Sequence, residues 1–410
     1  VERATVVILA TLDTKGPEAE YLRAQVEARG DRAVVIDTGL IGEPRARADV
    51  TRSEVAAAGG RSLTALQEHP TREEAAPVMT RGASRLVRAL VDEGKAHAIL
   101  SVGGTQGTTL STAVMRTLPY GFPKVMVSTM ASGNVAPWVD TKDITMMFSV
   151  TDIMGLNRFM KRILANAAAA ACGMAHVEIA AERADKPLIA VTTVGITTVG
   201  AMRAVAELER AGYETIVFHA IGTGGRAMED MMKDGLIGGV LDFSIIEVSN
   251  EMYHALLAGG PERLTTAGRL GLPQVICPGA VEVLVFNEPH TVPAGYRDRT
   301  LVRHSPQITD LRLNVEEMVE VGREVARRLQ QTRGRAVVLV PSLGFDAYDA
   351  EHEPFFDPQA DRAFVAELRR MLPETVEVVE RPAHINDPAF ATEAAQRLIA
   401  LMKEAQASAP

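Results

Sequence analysis

The chain has 410 residues, 47% hydrophobic and 23% charged, with a formal net charge of −9. That length exceeds one ordinary core and predicts two or more folded domains. The acidic balance excludes a general nucleic-acid or membrane surface, and Cys172 and Cys277 alone make neither a disulfide framework nor a cysteine zinc knuckle.

The opening "VERATVVILATLDTKG" has no basic segment ahead of a long apolar run. The longest apolar run, "ILANAAAAACGMA", is interrupted and shorter than the roughly 20 residues of a membrane-spanning helix. A soluble, cytoplasmic protein is expected, with no nucleic-acid or membrane partner.

Strands and helices alternate from the start. "ATVVILA" (4–10) reads as a strand, "PEAEYLRAQVEARG" as a helix and "AVVID" (33–37) as a second strand. Residues 39–72 are polar and read as a long irregular excursion, followed by a helix over "TREEAAPVMTRGASRLVRALVDEG". "AHAILSV" and "KVMVST" are further strands, separated by a helix after "GGTQGT". Continuous Val/Ile/Leu runs between helical patterns predict a parallel sheet buried on both faces. A long helix is expected from Thr151, and the polar "AERADKP" (181–187) marks the expected domain boundary.

Alternation resumes at "KPLIAVTT" (186–193). Sliding the chain by 182 residues lays its first β-α-β unit on this second start, with Leu9 on Val191, Gly30 on Gly212 and Val35 on Val217. The predicted fold is α/β: two Rossmann-like doubly wound parallel-sheet domains, residues 1–180 and 186–410, with a cleft between them. Each domain should hold its ligand at the carboxyl ends of its strands.

Two glycine-rich turns lie where such ligands bind. In "SVGGTQGTTLSTAVM", Gly103, Gly104 and Gly107 allow close backbone approach, and Thr105, Thr108 and Thr109 add hydroxyls. A helix N-terminus of this kind suits phosphate or carboxylate. The loop ends in Gly-Thr-Thr, so it is not a P-loop, and it does not match G-x-G-x-x-G. Asp13 and Lys15 of "ATLDTKGPEAE" stand in the same crevice. Lys15 suits phosphate and Asp13 a metal ion or hydroxyl, or else Asp13 or Thr14 simply caps the helix that contains Pro17. Asp37 ends the second strand, where an acid can meet ribose.

The second turn, "FHAIGTGGRAMEDMM", offers Gly222, Gly224 and Gly225 for an anionic substrate, with Arg226 as a clamp and His219 just before it. "DFSIIEVSNEMYHALLAGG" reads as a helix capped by Asp242, with Glu247, Glu251 and His254 on one face, solvated or turned into a cleft. "HSPQITDLR" is a polar cluster with His304, Gln307 and Arg312; "PSLGFDAYD" adds Ser342, Gly344, Asp346 and Asp349. Asp357 and Asp387, each before a proline, are expected helix caps, leaving His384 and Asn386 free to face the crevice. Glu247, His304, His384 and His219 are the candidate acid–base residues. His290, His304 and His352 lack zinc spacing, no H-E-x-x-H occurs, and no G-x-S-x-G elbow appears, so neither a transition-metal site nor an α/β-hydrolase serine is expected.

In order, "TLDTKG", "SVGGTQGT", "SVTDIMGLNR", "FHAIGTGGRAME", "CPGA" and "HINDPAFA" resemble the ATP-binding domain family of the tomato tobamovirus-resistance protein over Thr11 to Phe390. The resemblance implies two Rossmann-like subdomains, ATP (alone or with Mg²⁺) in the N-terminal one, and homodimers or higher homo-oligomers. It carries nucleotide binding onto Asp13, Lys15, Gly103, Gly104, Thr105, Gly107 and Thr108. The chain departs from the pattern after "PGA", where Val-Glu-Val-Leu-Val places Glu282 at the acid position, and in Gly-Thr-Gly-Gly for Gly-Val-Gly-Gly. Three readings stay open: a nucleotide-binding protein acting on a small anionic metabolite, a nucleotide-independent hydrolase or C–C lyase of a carboxylate or keto acid, and a ligand-sensing module.

Overall fold

A computed structural model describes residues 3–68, 72–178 and 186–408. The chain divides into two compact units, Val1–Ala181 and Glu182–Pro410. Most of the polar boundary segment at 181–187 lies outside the described residues.

In the first unit β1 (Thr5–Ala10), α1 (Leu12–Glu27) and β2 (Arg32–Asp37) form the opening β-α-β unit. Then come α2 (Arg52–Ala58), α3 (Leu63–Glu68), α4 (Arg72–Asp92), β3 (Ala98–Gly103) and α5 (Thr105–Arg116). β4 (Lys124–Ser128), α6 (Ala136–Val139), β5 (Thr145–Phe148) and α7 (Arg158–Ala175) complete it. The excursion expected at 39–72 is therefore not wholly irregular, since α2 begins in a Thr51–Glu54 capping box. The long helix expected from Thr151 starts later, where Asn157 accepts from Phe159 N–H and Met160 N–H and so caps α7.

All strand pairs of this sheet are parallel, in the order β2-β1-β3-β4-β5. Helices cover both faces: α1 and α7 pack on one apolar layer with Val6, Ile8 and Leu100, α4 and α5 on the other with Val7, Leu9 and Ile99. Successive residues of a strand point to opposite faces, so both faces being buried explains why β3 and β4 read as mainly apolar runs without alternation.

The second unit begins with β6 (Ile189–Thr193), α8 (Thr198–Arg210), β7 (Thr215–His219), α9 (Thr223–Lys233) and β8 (Gly239–Ser244). α10 (Ile246–Met252), α11 (Thr266–Leu270) and β9 (Gln274–Gly279) follow, then β10 (Val283–Phe286), β11 (Leu301–Ser305) and β12 (Ile308–Arg312). The chain closes with α12 (Val315–Leu329), β13 (Ala336–Pro341), α13 (Pro358–Met371), β14 (Val376–Arg381) and α14 (Pro388–Ser408). Its parallel sheet runs β14-β13-β9-β8-β6-β7. Counted from its own first strand, the order is 2-1-3-4-5-6, as the first unit is 2-1-3-4-5. Both are doubly wound sheets whose switch point lies between strands 1 and 3.

Two features depart from expectation. The polar cluster "HSPQITDLR" is the tight end of a hairpin: β11 and β12 join β10 in a three-stranded antiparallel sheet. Its inner side, with Val283, Val285 and Ile308, packs on Ile246, Leu257 and Ala280 at the carboxyl end of the main sheet. The two glycine-rich turns, moreover, are not equivalent. The first follows strand 3 of its sheet and the second follows strand 2, so the repeat aligns the sheets but not the turns.

Candidate functional site

The switch point of the first unit lies between the ends of β1 and β3. Asp37 does not face out of it. Its buried Oδ1 accepts from Leu12 N–H at 3.0 Å and Gly39 N–H at 2.8 Å, tying the first turn of α1 to the end of β2. Burial raises its carboxyl above the ordinary value despite these two bonds.

Asp13 lies beside it. Asp13 Oδ2 accepts from Gly42 N–H at 3.3 Å, while Oδ1 is buried with no hydrogen-bond partner. Helix α1 is interrupted at Lys15 (φ −119°, ψ 23°), just ahead of Pro17. Lys15 Nζ donates to the carbonyl of Ile153, and Glu18 Oε1 accepts from Gly155 N–H at 2.7 Å. The "SVTDIMG" segment is thereby held against the start of α1.

The glycines after β3 do different jobs. A Cβ on Gly103 would sit 2.8 Å from Gly107 Cα, so close packing of the strand end on α5 requires glycine at Gly103, whereas a Cβ on Gly107 would meet only the Val102 carbonyl oxygen at 3.7 Å. A Cβ on Gly104 would meet only Thr129 Oγ1, at 3.9 Å. Gly104 is the extended N-cap of α5 and supplies no side-chain acceptor to its first turn. Thr105 is exposed, with its hydroxyl on Met130 Sδ at 3.4 Å. Thr108 is turned inward instead: its buried hydroxyl bonds Ser128 Oγ at 2.7 Å, so it is a strut between α5 and β4.

The second glycine turn already holds an anion, and it is the chain's own Glu247. Glu247 Oε1 accepts from Gly222 N–H at 2.6 Å and Gly225 N–H at 3.0 Å, at the start of α9. A Cβ on Gly225 would fall 2.0 Å from Glu247 Oε2, and one on Gly224 1.9 Å from the His219 carbonyl. Gly222 has φ +87°, a conformation natural to glycine. These glycines therefore do not offer an open seat for a substrate anion. Arg226 folds back, its Nε 3.4 Å from the Gly222 carbonyl.

Glu247 is 0% exposed, neither on a solvated face nor in a cavity. Its Oε2 accepts from Arg263 Nε at 2.6 Å, and Arg263 forks onto both oxygens of Asp242 at 2.6 Å each. Asp242 is thus a residue of β8 and not a helix cap; Thr192 Oγ1 also donates to it, at 2.7 Å. Burial depresses the Arg263 guanidinium, but Asp242, Glu247 and Glu229 outweigh that and hold it well above its ordinary value. Nor do Glu247, Glu251 and His254 share a helix face: α10 ends at Met252, and His254 has φ +52°.

His384 is likewise engaged. Its Nε2 contacts the Asp346 carbonyl at 2.7 Å and its Nδ1 accepts from Asn386 N–H at 3.1 Å. A carbonyl can only accept, so the proton is on Nε2 and neither nitrogen is left for a ligand. Asn386 also faces inward, bonding Gly200 N–H and the Ile196 carbonyl. Asp357 caps α13 through Gln359 N–H and Ala360 N–H; Asp387 turns its carboxylate to His384 N–H at 2.8 Å.

His219 and His304 do meet in a common space. A cavity of about 510 Å³ at the carboxyl ends of β6, β7 and β8 is lined by both, and by Asp310, which residue spacing did not single out. His304 is the extra residue of a β-bulge in β11, between Arg303 and Ser305. Its Nδ1 lies 2.9 Å from the Tyr348 hydroxyl and 3.8 Å from Asp310 Oδ2. Asp310 is only 4% exposed, and burial pushes its carboxyl up to about 6, with His304 opposing the rise.

A second acidic cluster is buried. Glu282, Asp346, Asp349 and Asp361 surround Arg312, whose Nη2 reaches Asp361 Oδ1 at 2.6 Å and Asp349 Oδ1 at 3.9 Å. Burial and mutual repulsion lift Glu282 well above the carboxylate range and raise Asp349; Asp346 reaches about 7 and Asp361 about 8.

Two doubly wound α/β units, each with a switch point between its first and third strands, define the class of protein. The chain matches the uncharacterised protein family UPF0261, its N-terminal domain over residues 4–180 and its C-terminal domain over residues 186–402, and belongs to that family. A UPF0261 protein of Clostridium tetani (strain Massachusetts / E88) is 40% identical over 400 residues, 97% of this chain and 99% of that protein. The ToMV resistance protein Tm-1(GCR237) of Solanum lycopersicum is 34% identical over 321 residues, 77% of this chain but 43% of its own length. Among solved structures, UDP-N-acetylglucosamine 2-epimerase from Rickettsia bellii aligns with a TM-score of 0.23 and 10% identity, over 67% of this chain and 78% of that one. Among the described residues no helix is long and apolar enough to cross a membrane.

Proposed function

We propose that the first unit binds a nucleotide of the ATP class at its switch point, with the phosphates on the turn from Gly103 to Thr105. One observation carries this reading. Gly104 is an extended helix N-cap that provides no internal acceptor and has open space where a side chain would project. Backbone N–H groups at such a helix end attract phosphate. In the second unit the equivalent need of α9 is met by Glu247, so the contrast between the two turns favours an external anion at the first.

The remaining residues fit such a ligand. The unpartnered buried oxygen of Asp13 suits a ribose hydroxyl or a Mg²⁺ ion that accompanies the phosphates. Lys15 would reach phosphate by leaving the Ile153 carbonyl, which would couple the ligand to the "SVTDIMG" segment. Asp37 and Thr108 act one layer behind, shaping the turn. When bound, ATP supplies an activated phosphoryl group; the chain's part is to seat and orient it.

The test is isothermal titration of the intact chain with ATP and adenosine, with and without Mg²⁺. ATP should bind saturably and more tightly than adenosine. Equal affinity for the two would remove the phosphate role of the turn, and no binding of either would remove the proposal.

A further inference from the structure

We propose that the cavity at the carboxyl ends of β6, β7 and β8 is a separate acid–base site for a small, uncharged, mainly apolar molecule, with His304 as the base. Four observations converge. The volume, about 510 Å³, falls within the roughly 300–1,000 Å³ of small-molecule sites. The cavity lies beside the switch point of its sheet, where such folds bind ligands. Its walls are aliphatic, including Val194, Ile196, Ile221, Leu257, Val283 and Ile308. The polar groups His219, His304 and Asp310 interrupt them.

The bulge at His304 is the fourth. An extra residue in an antiparallel pair is unpaired and re-aims its side chain, and such bulges recur beside active sites. Nδ1 of His304 is directed to Tyr348 and Asp310, so its Nε2 is the nitrogen left for a ligand, and with 46% of the side chain exposed the ring is reachable. A carboxylate behind an imidazole orients the ring and stabilises the imidazolium that forms when the base takes a proton. Asp310 and Tyr348 are accordingly positioning residues.

The cavity chemistry also selects the ligand. No lysine or arginine is among the described residues that line it. Asp310 already supplies negative charge beside His304, so an anionic ligand would be buried against a like charge without a strong counter-ion. This argues against the carboxylate or keto acid expected for the second unit. The step is a proton transfer. A C–H or O–H bond of the substrate breaks, its electron pair stays on the substrate, and an N–H bond forms at His304 Nε2.

The probe is 5-nitrobenzisoxazole, a neutral flat molecule. Loss of its ring proton to a base breaks the N–O bond and releases a coloured cyanophenolate. The intact chain should give saturable turnover, with His304→Ala lowering kcat/KM by roughly 10²-fold at unchanged thermal midpoint. Ile308→Trp, which fills the cavity and leaves His304 in place, should abolish saturation. For Asp310 the readout is the pH–rate profile. The groups that face it are His304 from β11 and Tyr348 from the loop after β13, whereas its partner on β10 is Val285. Asp310→Asn removes the charge that favours the imidazolium, so the acid limb should move to lower pH. Rates equal in wild type and His304→Ala, or unaffected by Ile308→Trp, would overturn the proposal. An acid limb unmoved in Asp310→Asn would overturn the role of Asp310. Because ATP is absent throughout, failure here leaves the nucleotide reading standing.

Discussion

Glu247 shows how one side chain can carry the appearance of a site while serving the fold. It accepts two backbone N–H groups of the α9 turn and the Nε of Arg263, all out of water. Removing one partner of a buried ion pair leaves the other uncompensated, at a cost of about 3–5 kcal/mol. Glu247→Ala should therefore destabilise the second unit by about that amount in urea unfolding, because Arg263 would then face Asp242 and Glu229 alone. A loss within about 0.5 kcal/mol, the size expected of an exposed position, would contradict the assignment. His384 follows the same logic on a smaller scale: with Nε2 on a carbonyl and Nδ1 on an N–H, it belongs to the frame.

The joint between β3 and α5 tests the division of labour between adjacent glycines. Gly103→Ala pushes a methyl against the backbone of Gly107 and should destabilise the first unit by about 1–3 kcal/mol. Gly104→Ala meets open space at an extended backbone and should change stability by no more than about 0.5 kcal/mol. Thermal or urea unfolding of the two variants decides it, and equal losses would refute the distinction. At this scale the buried strands were plain in the sequence, because double-sided burial writes itself as a mainly apolar, non-alternating run such as "AHAILSV". The β11–β12 hairpin was hidden by its polar tip, "HSPQ", and by strands of five residues each, the second of which buries the polar Thr309, Asp310 and Arg312 beside Leu311. His219, His304 and the first glycine turn could be found from strand ends alone. Arg263 and Tyr348 could not, since their partners Glu247 and His304 lie 16 and 44 residues away and no local spacing records such pairings. The second glycine turn misled for that reason: its anion is encoded 22 to 25 residues downstream.

For the molecule as a whole, the enclosed carboxyls of the second unit set the response to pH. Asp310, Asp346 and Asp361 lie at about 6, 7 and 8, all above the ordinary aspartate value. The folded state then holds protons that the unfolded chain has released, so stability falls as pH rises through this range. Urea unfolding of the second unit should show a lower midpoint at pH 8 than at pH 5, and a higher midpoint at pH 8 would contradict the retained protons. The two units also differ in what they leave open. The second neutralises its glycine turn internally and keeps a largely aliphatic cavity, whereas the first presents a turn without a side-chain cap and an Asp13 with one unpartnered oxygen. That contrast is the basis for proposing the first unit as the seat of a nucleotide, and Gly104→Val tests the proposal most directly. In isothermal titration the folded variant should lose ATP affinity by at least about tenfold, because a branched side chain would occupy the approach to the backbone N–H groups. ATP affinity unchanged in a Gly104→Val chain of wild-type stability would contradict the account.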